Sequence, residues 1–130
     1  MAVLALAVGL VLPRFGDVGA LSVEAAASEL AATINLTRER AILGARPLRM
    51  VLDLDAGRWT VDGTERGGLP PSVHLRRVAA AETPNGARVV ALDFDPAGDP
   101  LPARLELADD RGHGASVVVP PAGGRAEVRR

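Results

Sequence analysis

Residues 21–62 read LSVEAAASELAATINLTRERAILGARPLRMVLDLDAGRWTVD, and within this stretch the apolar spacing changes from that of a helix to that of a strand. In its first half, small and apolar side chains recur every three or four residues and form one stripe, which consists of Val23, Ala26, Ala27, Leu30, Ile34, Thr37 and Ala41. We therefore predict an amphipathic helix over residues 21–43, with Ser22 as its N-cap and with Gly44 and Pro47 ending it. The stripe must pack against another part of the protein.

The sequence after Pro47 favours β-strands joined by tight turns. Leu48, Met50, Leu52 and Leu54 alternate with mostly charged residues, and Ala56-Gly57 turns the chain into residues 58–62, which predicts a β-hairpin. Further strand candidates, separated by turns rich in Gly, Pro, Asp and Asn, are residues 73–78, 88–94, 103–107, 115–119 and 125–128. One helix followed by about seven short antiparallel strands predicts an α+β fold, and the 130 residues are enough for a single domain.

The composition excludes several classes of function. The formal net charge is −1, so a surface that binds polyanions over its whole extent is not expected. The chain has no cysteine, which excludes disulfide frameworks, thiolate nucleophiles and cysteine zinc sites. Its aromatic residues are Phe15, Trp59 and Phe94 alone, too few for base-stacking platforms or aromatic sugar-binding surfaces. Nucleic acid is therefore an unexpected partner, and the core must be aliphatic.

The first twelve residues, MAVLALAVGLVL, carry no charge, and Pro13, Arg14 and Phe15 follow them. Twelve helical residues span about 18 Å, whereas a bilayer core requires about 20 apolar residues. Three interpretations remain: the apolar region of a signal peptide with a cleavage site at Val18-Gly19-Ala20, a buried core helix, or the last part of a transmembrane helix.

Two pairs of carboxylates, Asp53/Asp55 and Asp93/Asp95, invite a calcium interpretation because hard cations prefer clustered oxygens in a turn. The EF-hand spacing fails in both places, since neither loop has an oxygen ligand at its fifth position or a glutamate at its twelfth. Strand alternation, with apolar residues inward and carboxylates in water, explains both pairs without an ion. We therefore predict no metal site and no cofactor.

Ser116, His113 and Asp109/Asp110 contain the residue types of a nucleophile, a base and an orienting acid. We interpret this cluster as a solvated hairpin loop that leads into a strand, because no nucleophile-elbow motif is present. His74 has no second ligand at metal spacing and is predicted to be a surface or half-buried histidine.

Glycine pairs and arginines complete the candidate sites. Gly67-Gly68 and Gly123-Gly124 match neither phosphate-binding nor dinucleotide-binding fingerprints and are predicted to be turns. A further possible site is the basic C-terminus, where Arg125, Arg129 and Arg130 face only one acid, Glu127. The alternatives there are phosphate binding and a solvated final strand with a frayed end.

The order of these parts resembles the type IV pilin-like proteins, and most closely the minor pseudopilin H family of type II secretion, which is grouped with a related minor pilin of type IV pili. The residues that carry the resemblance are Leu10-Val11-Leu12-Pro13-Arg14-Phe15, the helix through Arg38-Glu39-Arg40-Ala41-Ile42-Leu43, Arg46-Pro47-Leu48, Asp53-Leu54-Asp55-Ala56-Gly57-Arg58-Trp59, Phe94-Asp95-Pro96-Ala97-Gly98, and Val117-Val118-Val119 followed by Gly124-Arg125. It covers nearly the whole chain and implies a long N-terminal α-helix packed on an antiparallel β-sheet or a two-sheet head.

The resemblance also implies a role in assembly. Residues 1–15 would be the C-terminal part of a membrane and filament helix, and residues 16–130 a periplasmic head with its helix at 21–43 and a β-rich part at 47–130. Filament contacts would come from Val3, Leu4, Leu6, Val8, Leu10, Val11, Leu12 and Phe15. Such a protein would be a structural subunit without catalytic residues. It would be a single-pass inner-membrane protein that joins other pseudopilins through their N-terminal helices.

Family members also carry a short basic leader that ends in glycine, followed by Phe-Thr-Leu-x-Glu, where prepilin peptidase cuts and methylates. We expect about ten such residues upstream of Met1, which would extend the apolar run to the length of a bilayer. The alternative within the same superfamily is a minor pilin of type IV pili that binds DNA through Arg125, Arg129 and Arg130 during uptake.

Overall fold

The computed structural model describes residues 15–80, 88–97, 102–120 and 125–129. They form one helix and eight strands, which are α1 (Phe15–Gly44), β1 (Leu48–Asp53), β2 (Arg58–Val61), β3 (Thr64–Gly68), β4 (Val73–Ala80), β5 (Val89–Phe94), β6 (Ala103–Asp109), β7 (Gly114–Val119) and β8 (Glu127–Arg129). The predicted α+β class is confirmed. None of the helical segments in this described part of the chain combines the length and apolar character needed to cross a bilayer.

Helix α1 is longer than the sequence pattern indicated. All seven residues of the predicted stripe are buried, with exposed fractions of at most 4%. Ser22 lies well inside the helix, however, since α1 already includes Phe15, so its assignment as the N-cap was wrong. The serine and the following acid matched a helix start locally, but the backbone is helical on both sides of Ser22 and offers no free N–H groups there to cap.

The C-terminal end of α1 is closed by a Schellman motif. The Arg46 amide donates to the Ala41 carbonyl and the Ala45 amide to the Ile42 carbonyl, both at 3.2 Å. The left-handed residue of this motif is Ala45, with φ of 50°, and not the glycine that precedes it. Pro47 then follows as the residue before β1, as the sequence pattern predicted.

The strands form two four-stranded antiparallel sheets. The order is β3-β2-β1-β5 in the first sheet and β4-β6-β7-β8 in the second. The predicted hairpin is the β1–β2 pair, in which Leu52 lies opposite Trp59. Strand β5 then returns to pair with the other edge of β1. Five of the predicted strands therefore recur as β4 to β8, and the first sheet contains one strand more than the sequence pattern indicated.

The additional strand is β3, and it corrects the prediction that Gly67-Gly68 is a turn. The turn lies earlier, at Asp62 and Gly63, which both have positive φ, as a two-residue type I′ hairpin loop requires. Gly67 lies opposite Trp59 across the β2–β3 ladder. A β-carbon on Gly67 would lie 2.7 Å from the Trp59 Nε1 atom, so glycine is required here to make room for the indole. Gly123-Gly124 lies outside the described residues.

One hydrophobic core joins the helix to both sheets. It contains residues of α1, of the first sheet and of the second sheet in a single cluster. Helix α1 contacts β1 and β5 of the first sheet and all four strands of the second. The aliphatic core predicted from the composition is present, and the two described aromatic side chains, Trp59 and Phe94, are both buried at its first-sheet side.

Candidate assembly surface

Most residues predicted for filament contacts lie outside the described part of the chain. These are Val3, Leu4, Leu6, Val8, Leu10, Val11 and Leu12. For Phe15, the first described residue of α1, the structure describes the backbone only. The candidate surface that the structure does describe is therefore the continuation of this helix over the head.

Helix α1 turns a second stripe away from the core. Ala25, Ala32, Leu36 and Leu43 are all exposed and recur at intervals of seven, four and seven residues, which places them on one line along the helix. We call this line the outer face. Leu36 is 46% and Leu43 86% exposed, so the outer face presents large apolar side chains to solvent. Charged and polar residues flank it on both sides, namely Ser28, Glu29, Glu39 and Arg40.

The outer face was not identified from the sequence, although a signal was present. The buried stripe contains more apolar residues and dominates the helical pattern, so Leu36 and Leu43 were counted with neither stripe. Their spacing of seven residues, repeated by Ala25 and Ala32, is the pattern of a helix that packs on another helix. A search for a second stripe opposite the first would have found it.

Helix α1 is held against the two sheets by core packing and by the side-chain amide of Asn35. Asn35 donates from Nδ2 to the Ala126 carbonyl at 3.3 Å, and its Oδ1 accepts from the Ala126 amide at 2.8 Å. The side chain thus pairs with the segment before β8 much as a neighbouring strand would. It connects the middle of the helix to the C-terminal edge of the second sheet.

Two of the three C-terminal arginines, Arg125 and Arg129, belong to the described residues. Arg125 and Arg129 are exposed, and Arg129 Nη2 lies 3.6 Å from Glu127 Oε2 on the same strand. Strand β8 pairs with β7, which agrees with the interpretation of this segment as a final strand. Arg130 lies outside the described residues.

The paired carboxylates serve turns and ion pairs. Asp53 Oδ1 accepts from the Asp55 and Ala56 amides at 3.1 and 3.0 Å, which closes the β1–β2 turn. Arg88 approaches Asp55 to 2.7 Å.

Asp93 accepts from Arg49 at 2.7 Å across the β1–β5 pair, and this hydrogen bond, together with the negative charge, raises the pKa of Arg49. Within the described ranges, no three acids or histidines come together as metal ligands would.

The residues considered for catalysis lie at the end of β6, in β7 and in the loop between these strands. Asp109 accepts from His113 Nδ1 at 2.7 Å and from the His113 and Arg111 amides at 2.9 Å each, so it holds the hairpin loop between the strands. Burial alone would raise the pKa of Asp109, but these hydrogen bonds lower it, and the net change is downward. Ser116 has a different partner, Arg104, whose Nη2 lies 3.5 Å from the hydroxyl. The cluster is therefore the predicted hairpin loop.

His74 is exposed at the start of β4, as predicted, and its Nε2 lies 3.2 Å from Asp110 Oδ1. This contact connects the start of β4, an edge strand of the second sheet, to the β6–β7 loop.

Comparisons with known proteins agree with this architecture. A family model described as "Type II transport protein GspH" matches residues 26–123. The type II secretion system protein H of Xanthomonas campestris pv. campestris is 27% identical over 92 residues, which are 71% of this chain and 54% of that protein. The chain thus spans about half the length of this relative.

Two solved structures share the fold. The minor pseudopilin EpsH from the type 2 secretion system of Vibrio cholerae superposes with a TM-score of 0.63 at 16% identity, over 82% of this chain and 95% of that one. The type IV minor pilin FimU of Pseudomonas aeruginosa superposes with a TM-score of 0.61 at 16% identity, over 83% and 88%. The predicted pilin-like fold, with a helix on antiparallel sheets, is confirmed.

Proposed function

The chain belongs to the GspH family of type II transport proteins, and from this premise we propose that it is a minor pseudopilin, a structural subunit of the type II secretion pseudopilus that assists protein export across the outer membrane. The proposal rests on the family match over residues 26–123, which spans the head from α1 to the end of β7. It assigns no catalytic role to the chain.

The outer face of α1 supports this proposal. Leu43 is 86% and Leu36 46% exposed, and complete burial of an exposed leucine is worth about 1.5–3 kcal/mol, of which an isolated head would lose a large part. Small and large apolar side chains in one line, flanked by charges, suit packing against the helix of another subunit. We propose that the occupants of the outer face are the helices of other pseudopilins.

The N-terminal segment completes the proposal. Residues 1–15 would continue α1 into the membrane and into the filament, where Val3, Leu4, Leu6, Val8, Leu10, Val11, Leu12 and Phe15 contact neighbouring helices. The protein would then be a single-pass inner-membrane protein with a periplasmic head, and it would enter a periplasmic pseudopilus after processing. Its partners would be other pseudopilins and the secretion machinery.

The experiment that tests this function places charge on the outer face. The variant L36E/L43E is expressed as the full-length gene, with any upstream leader, in a type II secretion strain that lacks its own H subunit. We expect the wild-type gene to restore exoprotein secretion and to appear in sheared pseudopili, and L36E/L43E to lose both. The purified head of the variant should keep the wild-type circular dichroism spectrum, because neither side chain is buried.

The matched control is V89E, because Val89 is an apolar residue that is 60% exposed on β5 and does not belong to the outer face. It should secrete like the wild type. A strain in which L36E/L43E secretes normally would contradict the proposed use of the outer face. Failure of the wild-type gene to restore secretion or to enter pseudopili would contradict the proposed function itself.

A second candidate function is that of a minor pilin of type IV pili which holds DNA through Arg125, Arg129 and Arg130. The fold likeness to FimU favours considering it. Its test is a gel shift with duplex DNA at low salt, comparing the wild type with the triple variant R125Q/R129Q/R130Q. Binding that weakens in the variant and with added salt would support it, and no binding at low salt would remove it.

A further inference from the structure

A groove lies where the end of α1 meets the first sheet, and arginines dominate its lining. It has a volume of about 570 Å³ and opens to solvent. Arg40 comes from the helix, Arg46 from the Schellman motif and Arg66 from β3, while the buried side chains of Leu48 and Val61 also line it. We call it the arginine groove.

The groove carries an excess of positive charge. Among its described lining residues the one acid is Asp62, so three arginines and one aspartate give these residues a formal charge of +2, although the whole chain carries −1. Asp62 is already occupied, since Oδ2 lies 3.3 Å from Arg46 Nη2 and Oδ1 accepts from the Arg49 amide at 3.3 Å.

Arg40 and Arg66 are different, because both are exposed and neither has an ion pair or side-chain hydrogen bond within the described residues. Each guanidinium presents a planar set of donors that matches a carboxylate or a phosphate. The groove therefore offers two guanidinium groups that are available to bind an anion, beside a lining that is partly apolar.

The surroundings favour carboxylates on a protein over a polyphosphate chain. An adjoining groove shares Leu48 and Asp62 with this one, but its other lining includes Asp93 and Asp95, and its Arg49 is taken by Asp93. A phosphate backbone that left the arginine groove in this direction would meet acids. The described aromatic side chains are buried, so no exposed ring is available among them to stack a base.

A peptide fits better, because it can change from acidic to apolar within a few residues. Leu43 lies between Arg40 and Arg46 in sequence and is 86% exposed, so apolar contact is available beside the positive charge. Leu43 also belongs to the outer face, which connects the groove to the proposed subunit interface.

We propose that the arginine groove binds an acidic protein segment of a neighbouring pseudopilus subunit, whose carboxylates pair with Arg40 and Arg66. This inference rests on the proposed function for the identity of the partner. The geometry and charge of the groove stand independently of it.

The test uses the full chain and an N-acetylated fluorescent octapeptide that contains four glutamates and two leucines. We expect anisotropy to show binding that weakens with salt, and the variant R40Q/R66Q to bind about tenfold more weakly, because two exposed ion pairs are lost. The matched control is R76Q/R77Q, which removes the same charge from two exposed arginines on β4. It should bind like the wild type, and both variants should melt at the wild-type temperature.

Several outcomes would overturn the inference. The inference fails if the wild type does not bind the peptide, or if both double variants lose the same affinity. It also fails if a peptide with glutamine in place of glutamate binds as tightly as the original. The same holds if a single-stranded oligonucleotide or phosphatidylglycerol vesicles bind more tightly than the peptide through the same two arginines. If the peptide results are as expected while the wild-type gene fails to enter pseudopili, the proposed function fails and the anion site remains. If the gene enters pseudopili and R40Q/R66Q binds normally, only the groove inference fails.

Discussion

Ala45 has a backbone conformation that a residue with a β-carbon rarely adopts. Its φ of 50° lies in the left-handed region, and it forms the C′ position of the helix end. For an L-residue this conformation costs about 1–2 kcal/mol, which a glycine avoids. We expect A45G to raise the free energy of unfolding by about 0.5–1 kcal/mol, measured by urea denaturation followed by circular dichroism.

The control for this substitution is the same chemical change in the interior of α1. Ala32 is exposed on the helix, and A32G should lower the free energy of unfolding by about 1 kcal/mol because glycine is a poor helix former. Destabilisation by A45G would mean that the left-handed backbone at this position carries no strain.

Asp109 makes the stability of the protein depend on pH. Its folded pKa is lower than its ordinary value, because three hydrogen bonds to His113 and Arg111 outweigh the opposing effect of burial. A carboxyl group with a lowered folded pKa stabilises the protein fully above its unfolded pKa of about 4, and this contribution disappears as the pH falls through the folded pKa. We expect D109N to have a lower urea midpoint than the wild type at pH 7.

The difference between wild type and D109N should shrink as the pH is lowered from 5 to 2. The variant D110N is the control, because Asp110 is exposed and, within the described ranges, its side chain contacts His74 alone. A gap between wild type and D109N that stays constant over this pH range would show that the ionised carboxylate of Asp109 is not the stabilising form.

Among the elements, the β-hairpin and the extra strand show what the sequence could predict. Strand β1 has an apolar residue at every second position, namely Leu48, Met50 and Leu52, so its position and its turn to β2 were recognisable. Strand β3, with the sequence TERGG, contains two glycines and no large apolar residue, so its composition argued for a turn. It is a strand because Asp62-Gly63 forms a hairpin loop and because Gly67 accommodates Trp59, a contact between neighbouring strands that single-residue preferences do not contain.

The side chain of Asn35 links α1 to the segment before β8, and this link is open to test. The variant N35A removes both hydrogen bonds with Ala126 and leaves its amide and carbonyl without those partners. We expect a loss of about 1–3 kcal/mol in the free energy of unfolding and faster hydrogen exchange of the Ala126 amide. Thr33 is the control, since its hydroxyl donates to the Glu29 carbonyl of the same helix, and T33A should leave the Ala126 amide protected. Unchanged exchange at Ala126 in N35A would contradict the linking role.

At the scale of the whole molecule, the class of fold was predictable and the strand order was not. In the order β3-β2-β1-β5, strand β5 pairs with β1 although β4, a strand of the second sheet, comes before it in the sequence. No local pattern specifies that pairing. Similarly, the buried stripe of α1 could be recognised as a core face from the sequence. The stripe packs against both sheets, however, and this could be learned only from the arrangement of the sheets. The arginine groove was beyond prediction for the same reason, because Arg40, Arg46 and Arg66 come from three separate segments.

Because α1 contacts both sheets through one core, the two sheets should unfold together. Ile34 lies in that core at 1% exposure, and I34A should lower the free energy of unfolding by about 2–5 kcal/mol, whereas L36A on the outer face should cost about 0.5 kcal/mol. Trp59, the single tryptophan, reports on the first sheet by fluorescence, and far-ultraviolet circular dichroism reports on all elements. In I34A both signals should change at the same urea concentration, as they do for a single cooperative unit. A fluorescence transition that precedes the dichroism transition would instead mean that the first sheet can separate from the helix, and α1 would then be a support for the second sheet alone.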